Sequence, residues 1–197
     1  MTKFPKLSQK LILEAKKGYH QFMSEDLIKL DHEKKLYDVV GIQIKTKEYI
    51  TLNNLFEILK WRQPALPGHF KLNNEKRVKE ISKYAYKTQD EEIRVAVLTL
   101  IKGVGLPSAT RILSISNPEL YPTYHKMGWL VLKKWNFLEE EYGLNTNKWI
   151  EYLNSCRTIM EKYSISGREL DQILIATYLK HNLNINLQKF VPLDEFL

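Results

Sequence analysis

The stretch IKGVGLPSATRIL, residues 101–113, decides the fold because it places two glycines and a proline between two apolar runs that suit helices. Gly103 and Gly105 can adopt backbone conformations that a Cβ atom would disfavour, and they let the main chain approach a ligand closely. Pro107 suits the first turn of a helix, where its missing N–H costs nothing. The stretch therefore predicts two helices joined by a tight hairpin.

The hairpin also has the features of an anion site. A helix that begins near Pro107 directs the N–H groups from Val104 to Ser108 outwards from its positive end. Lys102 and Arg111 add mobile positive charge nearby. The hairpin is thus a candidate phosphate-binding turn, although a tight turn between two packed helices explains the same residues equally well.

The same glycines allow another interpretation, a strand that enters a dinucleotide-binding turn. The preceding residues 95–101 are apolar, but Ser108 replaces the third glycine. That motif also requires a βαβ unit with a second strand. Residues 117–122, NPELYP, indicate a turn instead, so we expect no nucleotide cofactor.

Length and composition suit a helical protein with a sizeable core. The chain has 197 residues, of which 44% are hydrophobic, and this is enough for a domain without disulfides. Cys156 is the single cysteine, which excludes multi-cysteine metal sites and indicates a buried structural thiol. No apolar run is long enough for a membrane span and no signal peptide is evident, so we expect a cytoplasmic protein with no membrane partner and no metal site.

The net charge of +7 is concentrated in two segments. Residues 60–87 hold eight Lys or Arg against two Glu, and residues 102–134 hold five against one. Because this positive charge surrounds the candidate phosphate-binding turn, nucleic acid is the favoured partner.

Helical periodicity dominates the rest of the chain. Capping signals predict helix starts at Ser24, at Thr51 or Asn53, at Asn73 or Asn74, at Thr88, near His125, at Asn147 and at Ser166. The β-branched residues 36–44 predict an extended segment or a short strand. We find no repeat or Gly/Ser linker, and we expect one all-helical domain over residues 1–197. The hairpin, residues 91–116, lies at its centre, and a division into two lobes is left open.

The hairpin and its flanks resemble the helix-hairpin-helix superfamily of base-excision DNA glycosylases. The resemblance is carried by residues 100–109, LIKGVGLPSA, and by the turn at 117–122. It is similar to a poorly characterised bacterial branch with a Trp-basic pair, here Trp61-Arg62, and an Arg-Glu-Leu-Asp run, here residues 168–171.

The resemblance implies an all-α glycosylase-like fold that binds the DNA backbone through hairpin amides. It also implies a monovalent cation held by hairpin carbonyls and no other cofactor. Members rotate a base into a pocket between two lobes, because the glycosidic bond cannot be attacked inside the stack. Cleavage then needs a carboxylate that stabilises an oxocarbenium-like state, or a lysine that forms a Schiff base.

The chain departs from the family pattern at both catalytic positions. His125 stands where the resembled branch has an aspartate, and Pro107 stands where bifunctional members have the lysine. For His125 three roles remain open: a general acid or base, a contact with phosphate or base, and a structural helix start. Asp171 is the better candidate for a displaced carboxylate because a capping box explains Glu169, although a carboxylate at a helix start also suits the helix dipole.

Aromatic residues in or beside the basic segments are candidates for stacking on bases. Trp61 is the first choice because it ends a helix at a proline-containing loop, and the others are Tyr84, Tyr121, Tyr124 and Trp129.

The sequence therefore predicts a DNA-binding protein that grips a phosphate through residues 102–108, in the context of base-excision repair. The supporting residues are Lys102, Arg111 and Lys126, with Trp61, Arg62 and Tyr124 as further contacts. Two alternatives remain: an active DNA glycosylase with a non-standard acid, His125 or Asp171, and a helical protein-interaction module without nucleic-acid affinity.

Overall fold

The computed structural model describes residues 5–24, 26–61 and 68–182, and every regular element in these ranges is helical. This confirms the all-α prediction for the described part of the chain. The α-helices are α1 (Gln9–Ser24), α2 (Leu27–Lys35), α3 (Ile42–Lys47), α4 (Leu52–Lys60), α5 (Glu75–Lys87), α6 (Glu91–Leu98), α7 (Leu106–Ser116), α8 (Lys126–Lys134), α9 (Thr146–Tyr163) and α10 (Gly167–Asn182). A π-helix (Leu36–Gly41) joins α2 to α3, and a 3-10 helix (Gly68–Leu72) precedes α5.

The segment predicted to be extended, residues 36–44, is helical, so that prediction is wrong. The π-helix runs directly into α3, and its residues Leu36, Val40 and Ile44 point into the core. A Cβ atom on Gly41 would lie 2.2 Å from the carbonyl oxygen of Ile115. The segment packs closely against α7 through Gly41 and buries Val40 and Ile44 on the same side, and this tertiary packing overrides its strand propensity.

Several helix starts agree with the capping signals. Thr51 and Asn54 form a reciprocal capping box at α4, Asn74 caps α5, and Ser166 and Glu169 form a second reciprocal box at α10. Other starts are shifted by two residues: Asp90 rather than Thr88 caps α6, Asn145 rather than Asn147 caps α9, and Asp26 rather than Ser24 caps α2.

The hairpin helix α7 lies deep in the molecule. All residues from Ser108 to Ser116 are buried, and α7 packs against the π-helix, α3, α4 and α6. On the other side α10 packs against α1, α8 and α9. The buried side chains of these helices form one hydrophobic cluster. A single domain over residues 1–197 stays a prediction, because residues 183–197 lie outside the described ranges.

Two further findings concern the described ranges only. No helix there is both long and apolar enough to cross a bilayer. No group of three or more His, Cys, Asp or Glu side chains is arranged there to hold a metal ion.

Candidate functional site

The predicted hairpin is present, with α6 ending at Leu98 and α7 beginning at Leu106. Its turn is closed by a hydrogen bond from the Val104 N–H to the Ile101 carbonyl at 3.0 Å. Gly103 adopts a positive φ of 82°, a conformation in which an L-side chain is strained. Gly103 is therefore required by the turn itself.

A buried asparagine, Asn73, fixes the backbone of the turn at Lys102. The Asn73 side chain accepts from the Lys102 N–H at 3.0 Å and donates to the Lys102 carbonyl at 2.8 Å. It also donates to the Phe70 carbonyl at 3.1 Å. The N–H and the carbonyl of Lys102 are thus both bonded by one side chain. The sequence predicts this side chain only as a possible helix cap.

The start of α7 leaves amide groups without an internal acceptor. Gly105 is the N-cap and no side chain caps the helix. Within the described ranges no group accepts from the N–H of Gly105, Leu106 or Ser108. The N–H of Val104, which we expected to be available to a phosphate, is instead used inside the turn, and Ser108 is only 7% exposed. The amides open to an anion are therefore chiefly those of Gly105 and Leu106.

Gly105 differs from Gly103 because no contact with the described residues requires it to be a glycine. Its φ of −88° and ψ of 179° suit any residue. The nearest atom to a Cβ built on it is Pro107 Cδ at 4.0 Å, and the residue is exposed. The missing side chain therefore leaves the α7 N-terminus open from the solvent side.

An open cleft runs beside this turn and is lined by Arg77 of α5 together with residues 99–105. Neither Arg77 nor Lys102 forms an ion pair in the part of the chain that the structure describes. Sequence reasoning did not single out Arg77, and its place in the basic segment 60–87 was its only signal.

A second concavity, which we call the pocket, brings together several sequence-predicted site residues from distant parts of the chain. Trp61, Arg111, His125, Lys126 and Asp171 all line it. Arg111 lies on α7 six residues after Gly105, so the same helix joins the pocket to the hairpin over about 9 Å.

The hydrogen bonds of His125 define its role. Its Nδ1 accepts from the Gly128 N–H at 2.9 Å, which caps α8, and its Nε2 lies 2.7 Å from Asp171 Oδ1. Since Nδ1 is an acceptor, the proton of the neutral ring lies on Nε2 and is donated to Asp171. Both ring nitrogens are thus used inside the protein, and the histidine holds the carboxylate in place. A general acid or base role would require these bonds to break.

Asp171 is the carboxylate that this arrangement presents to the pocket. It is 9% exposed, and His125 is its hydrogen-bond partner among the described residues. A Cβ on Gly128 would lie 2.5 Å from the Tyr152 hydroxyl and 3.1 Å from His125 Cε1. The glycine is therefore needed for the tight packing that positions the histidine.

The pocket also contains groups that sequence reasoning missed. Glu33 is 6% exposed and accepts from the Tyr19 hydroxyl at 3.1 Å, and Tyr37 bonds Ser114 at 3.3 Å. Burial, with the negative charges of Asp171 and Glu33, raises the pKa of Tyr37 to about 12, so this hydroxyl stays protonated. These residues come from α1, α2 and the π-helix, and no local motif marks them.

The predicted aromatic residues divide between the pocket, the core and the surface. Trp61 lines the pocket and makes an edge contact with His32 at 5.0 Å between ring centroids. Tyr84 is exposed. Tyr121 hydrogen-bonds Glu91. Tyr124 and Trp129 are fully buried in a cluster with Tyr142, Trp149 and Tyr152. Because Tyr124 is fully buried, it is not available for the predicted contact with nucleic acid in this structure. Arg62, another predicted contact, lies outside the described residues.

Comparison of the chain with family models, with curated proteins and with solved structures found no match in any of the three. The resemblance to helix-hairpin-helix glycosylases therefore rests on the sequence motifs alone.

Proposed function

We propose that this chain is a DNA-binding protein of helix-hairpin-helix, glycosylase-like fold that holds a backbone phosphate at residues 102–108. One observation carries the proposal: the exposed Gly105 leaves the amides of the α7 N-terminus open, although no internal contact requires a glycine there. Backbone N–H groups at a helix N-terminus favour an anion. Lys102 and Arg77 supply positive charge at the same cleft.

The monovalent cation implied by the resemblance stays a prediction. The Lys102 carbonyl already accepts from Asn73, and the cleft brings Arg77 and Lys102 together. These residues suit an anion better than a cation, so the proposed phosphate contact does not depend on bound metal.

Two substitutions at Gly105 test the phosphate contact. Gly105→Val places a branched side chain over the amides, and Gly105→Ser supplies an oxygen that can accept from an N–H in the first turn of α7. We expect Gly105→Ser to keep its stability within a few tenths of a kcal/mol and Gly105→Val to lose about 1 kcal/mol while staying folded, and we expect both to bind a DNA duplex more weakly. Fluorescence anisotropy over a range of salt concentrations measures the loss, since each phosphate contact contributes about −0.9 to the slope of log K against log salt.

Gly18→Val is the matched control, because Gly18 is exposed on α1 and a Cβ there meets nothing within 4 Å. Unchanged affinity in the folded Gly105 variants would remove the hairpin from the binding surface. If the wild-type protein shows no duplex binding at low salt, the remaining alternative is a helical protein-interaction module.

A second candidate function, a DNA N-glycosylase, is favoured by the geometry of Asp171. This carboxylate faces the pocket, is oriented by His125, and shares the pocket with Arg111 and Trp61. A fixed carboxylate in a partly desolvated site can stabilise the positive charge that develops on a sugar when the glycosidic bond breaks. In this proposal Asp171 is the catalytic residue and His125 is a positioning residue.

Asp171→Asn and His125→Asn separate these roles. On a panel of duplexes with damaged bases, assayed by alkaline strand scission, Asp171→Asn should abolish product. His125→Asn keeps an N-cap acceptor for α8 but shortens the side chain facing Asp171, so it should slow the reaction without abolishing it. Product formation that survives in Asp171→Asn would exclude this residue as the catalytic group.

A further inference from the structure

The outward face of α5 carries a row of lysines that the proposed phosphate site does not use. They are Lys76, Lys79, Lys83 and Lys87, spaced by three, four and four residues. This spacing places them on one side of the helix. The other side of α5 is buried through Val78, Ser82 and Ala85. We call these four residues the lysine row.

The lysines of the row are unpaired in the part of the protein that the structure describes, although Glu80 lies among them on α5. None of the four lysines forms an ion pair there, whereas Lys16, Lys35, Lys133 and Lys148 each pair with a glutamate. Of the two glutamates of α5, Glu75 accepts from the Leu52 N–H at 2.7 Å, and Glu80 is exposed without an ion pair. Four lysines against one exposed glutamate leave this face of α5 with a net positive charge.

Two of the lysines converge on one aromatic ring. The ammonium nitrogens of Lys79 and Lys83 lie 4.4 and 5.3 Å from the ring centroid of Tyr49. The ring attracts each ammonium group, but it also brings two positive charges close together, and these repel each other. An anion bound beside Tyr49 would relieve this repulsion.

The lysine row begins next to the hairpin. Asn74 caps α5 by accepting from the Arg77 N–H at 2.8 Å, and the preceding Asn73 holds the Lys102 peptide groups. Arg77 itself lines the hairpin cleft, and α5 packs along α6. Arg77 thus places the cleft against the same helix that carries the row, with the hairpin near the N-terminal end of α5.

We propose that the lysine row is a second contact with the phosphate backbone of a DNA duplex whose first phosphate lies at the hairpin. The twelve residues from Lys76 to Lys87 extend about 16 Å along the helix. This is the rise of about five base pairs, so the row can follow successive phosphates beyond the hairpin. Lysine contacts of this kind are independent of base sequence. The inference rests on the proposed DNA-binding function and adds the path of the duplex over α5.

The test replaces all four lysines of the row with glutamine in the whole 197-residue chain. Duplex affinity is measured by anisotropy against log salt on a labelled duplex of about 20 base pairs. We expect the slope to become less steep by about two to four, because each lost phosphate contact removes about 0.9. The control replaces Lys10, Lys17, Lys34 and Lys134, which are exposed on α1, α2 and α8 and form no ion pair among the described residues. It removes the same charge and should shift the slope far less.

Three results would overturn the inference, and they are distinguishable. If the lysine-row variant and the control lose equal slope while Gly105→Val still weakens binding, the row is not a contact but the hairpin proposal stands. If the row variant loses affinity for phosphatidylserine vesicles and keeps the wild-type duplex slope, the surface serves a membrane instead. If the wild-type protein binds no duplex at low salt, the proposed function fails and this inference fails with it.

Discussion

At the scale of single residues, Asn73 holds the hairpin backbone in place from outside the turn. Its side chain makes three hydrogen bonds with the backbone of Lys102 and Phe70. Asn73→Ala leaves the Lys102 peptide groups without their partner, and removing such a partner costs about 1–3 kcal/mol. We expect the variant to be less stable by about this amount in urea denaturation and also to bind duplex DNA more weakly at temperatures where it is fully folded.

Its neighbour Asn74 provides the control for this prediction. Asn74 caps α5 through the Arg77 N–H and makes no hydrogen bond with the hairpin. Asn74→Ala should therefore cost about 1 kcal/mol of stability with little change in duplex affinity. Equal losses of affinity in the two variants would show that the asparagine clamp does not shape the binding site.

The candidate site could be predicted residue by residue only where a motif marked it. His125 and Asp171 stand out in the sequence and prove to be hydrogen-bonded across 46 positions of the chain. The sequence alone does not predict this hydrogen bond, because the bond depends on how α8 packs against α10. Glu33 lies in a charged stretch of α2 whose composition is typical of a solvent-exposed helix face. Its buried position in the pocket follows from the tertiary fold.

At the scale of elements, local signals predicted helix starts well and failed where packing competes with propensity. The Ser166–Glu169 box is formed by both of its hydrogen bonds, at 2.8 and 3.2 Å. At α6 the N-cap is Asp90, which accepts from the Ile93 N–H at 2.9 Å, and Asp is a stronger N-cap than the Thr88 that we predicted. Residues 36–44 have the composition of a strand, but their spacing places Leu36, Val40 and Ile44 on one buried helical side.

At the scale of the whole molecule, the aromatic residues show why composition is a poor guide to binding surfaces. Tyr124 and Trp129 lie in a basic segment, yet both are at 0% exposure in the core. The Tyr124 hydroxyl donates to the Gly143 carbonyl and the Trp129 indole N–H donates to the Glu140 carbonyl. Once their polar atoms are satisfied, large aromatic side chains stabilise the core most when they are fully buried. The aromatic residues of this cluster are evident in the sequence, but the contacts between them depend on the tertiary fold.

The single cysteine allows the stability of the whole fold to be linked to its function. Cys156 is fully buried on α9, and desolvation raises the pKa of its thiol well above the ordinary value. A thiol reagent should therefore label the native protein only when it opens, and labelling should become rapid in denaturant. Fast labelling of the native protein would contradict the burial of this residue.

A duplex that binds only the folded protein must slow this labelling. At a duplex concentration 100 times the Kd, the folded state gains about 2.7 kcal/mol, so a reaction that requires global opening should slow about 100-fold. Labelling kinetics with and without duplex measure the effect, and Cys156→Ser gives the background rate. Gly105→Val, which keeps Cys156 buried but obstructs the hairpin amides, should show less protection than the wild-type protein at the same duplex concentration. Equal protection of this variant and the wild-type protein would place the DNA contact elsewhere on the molecule.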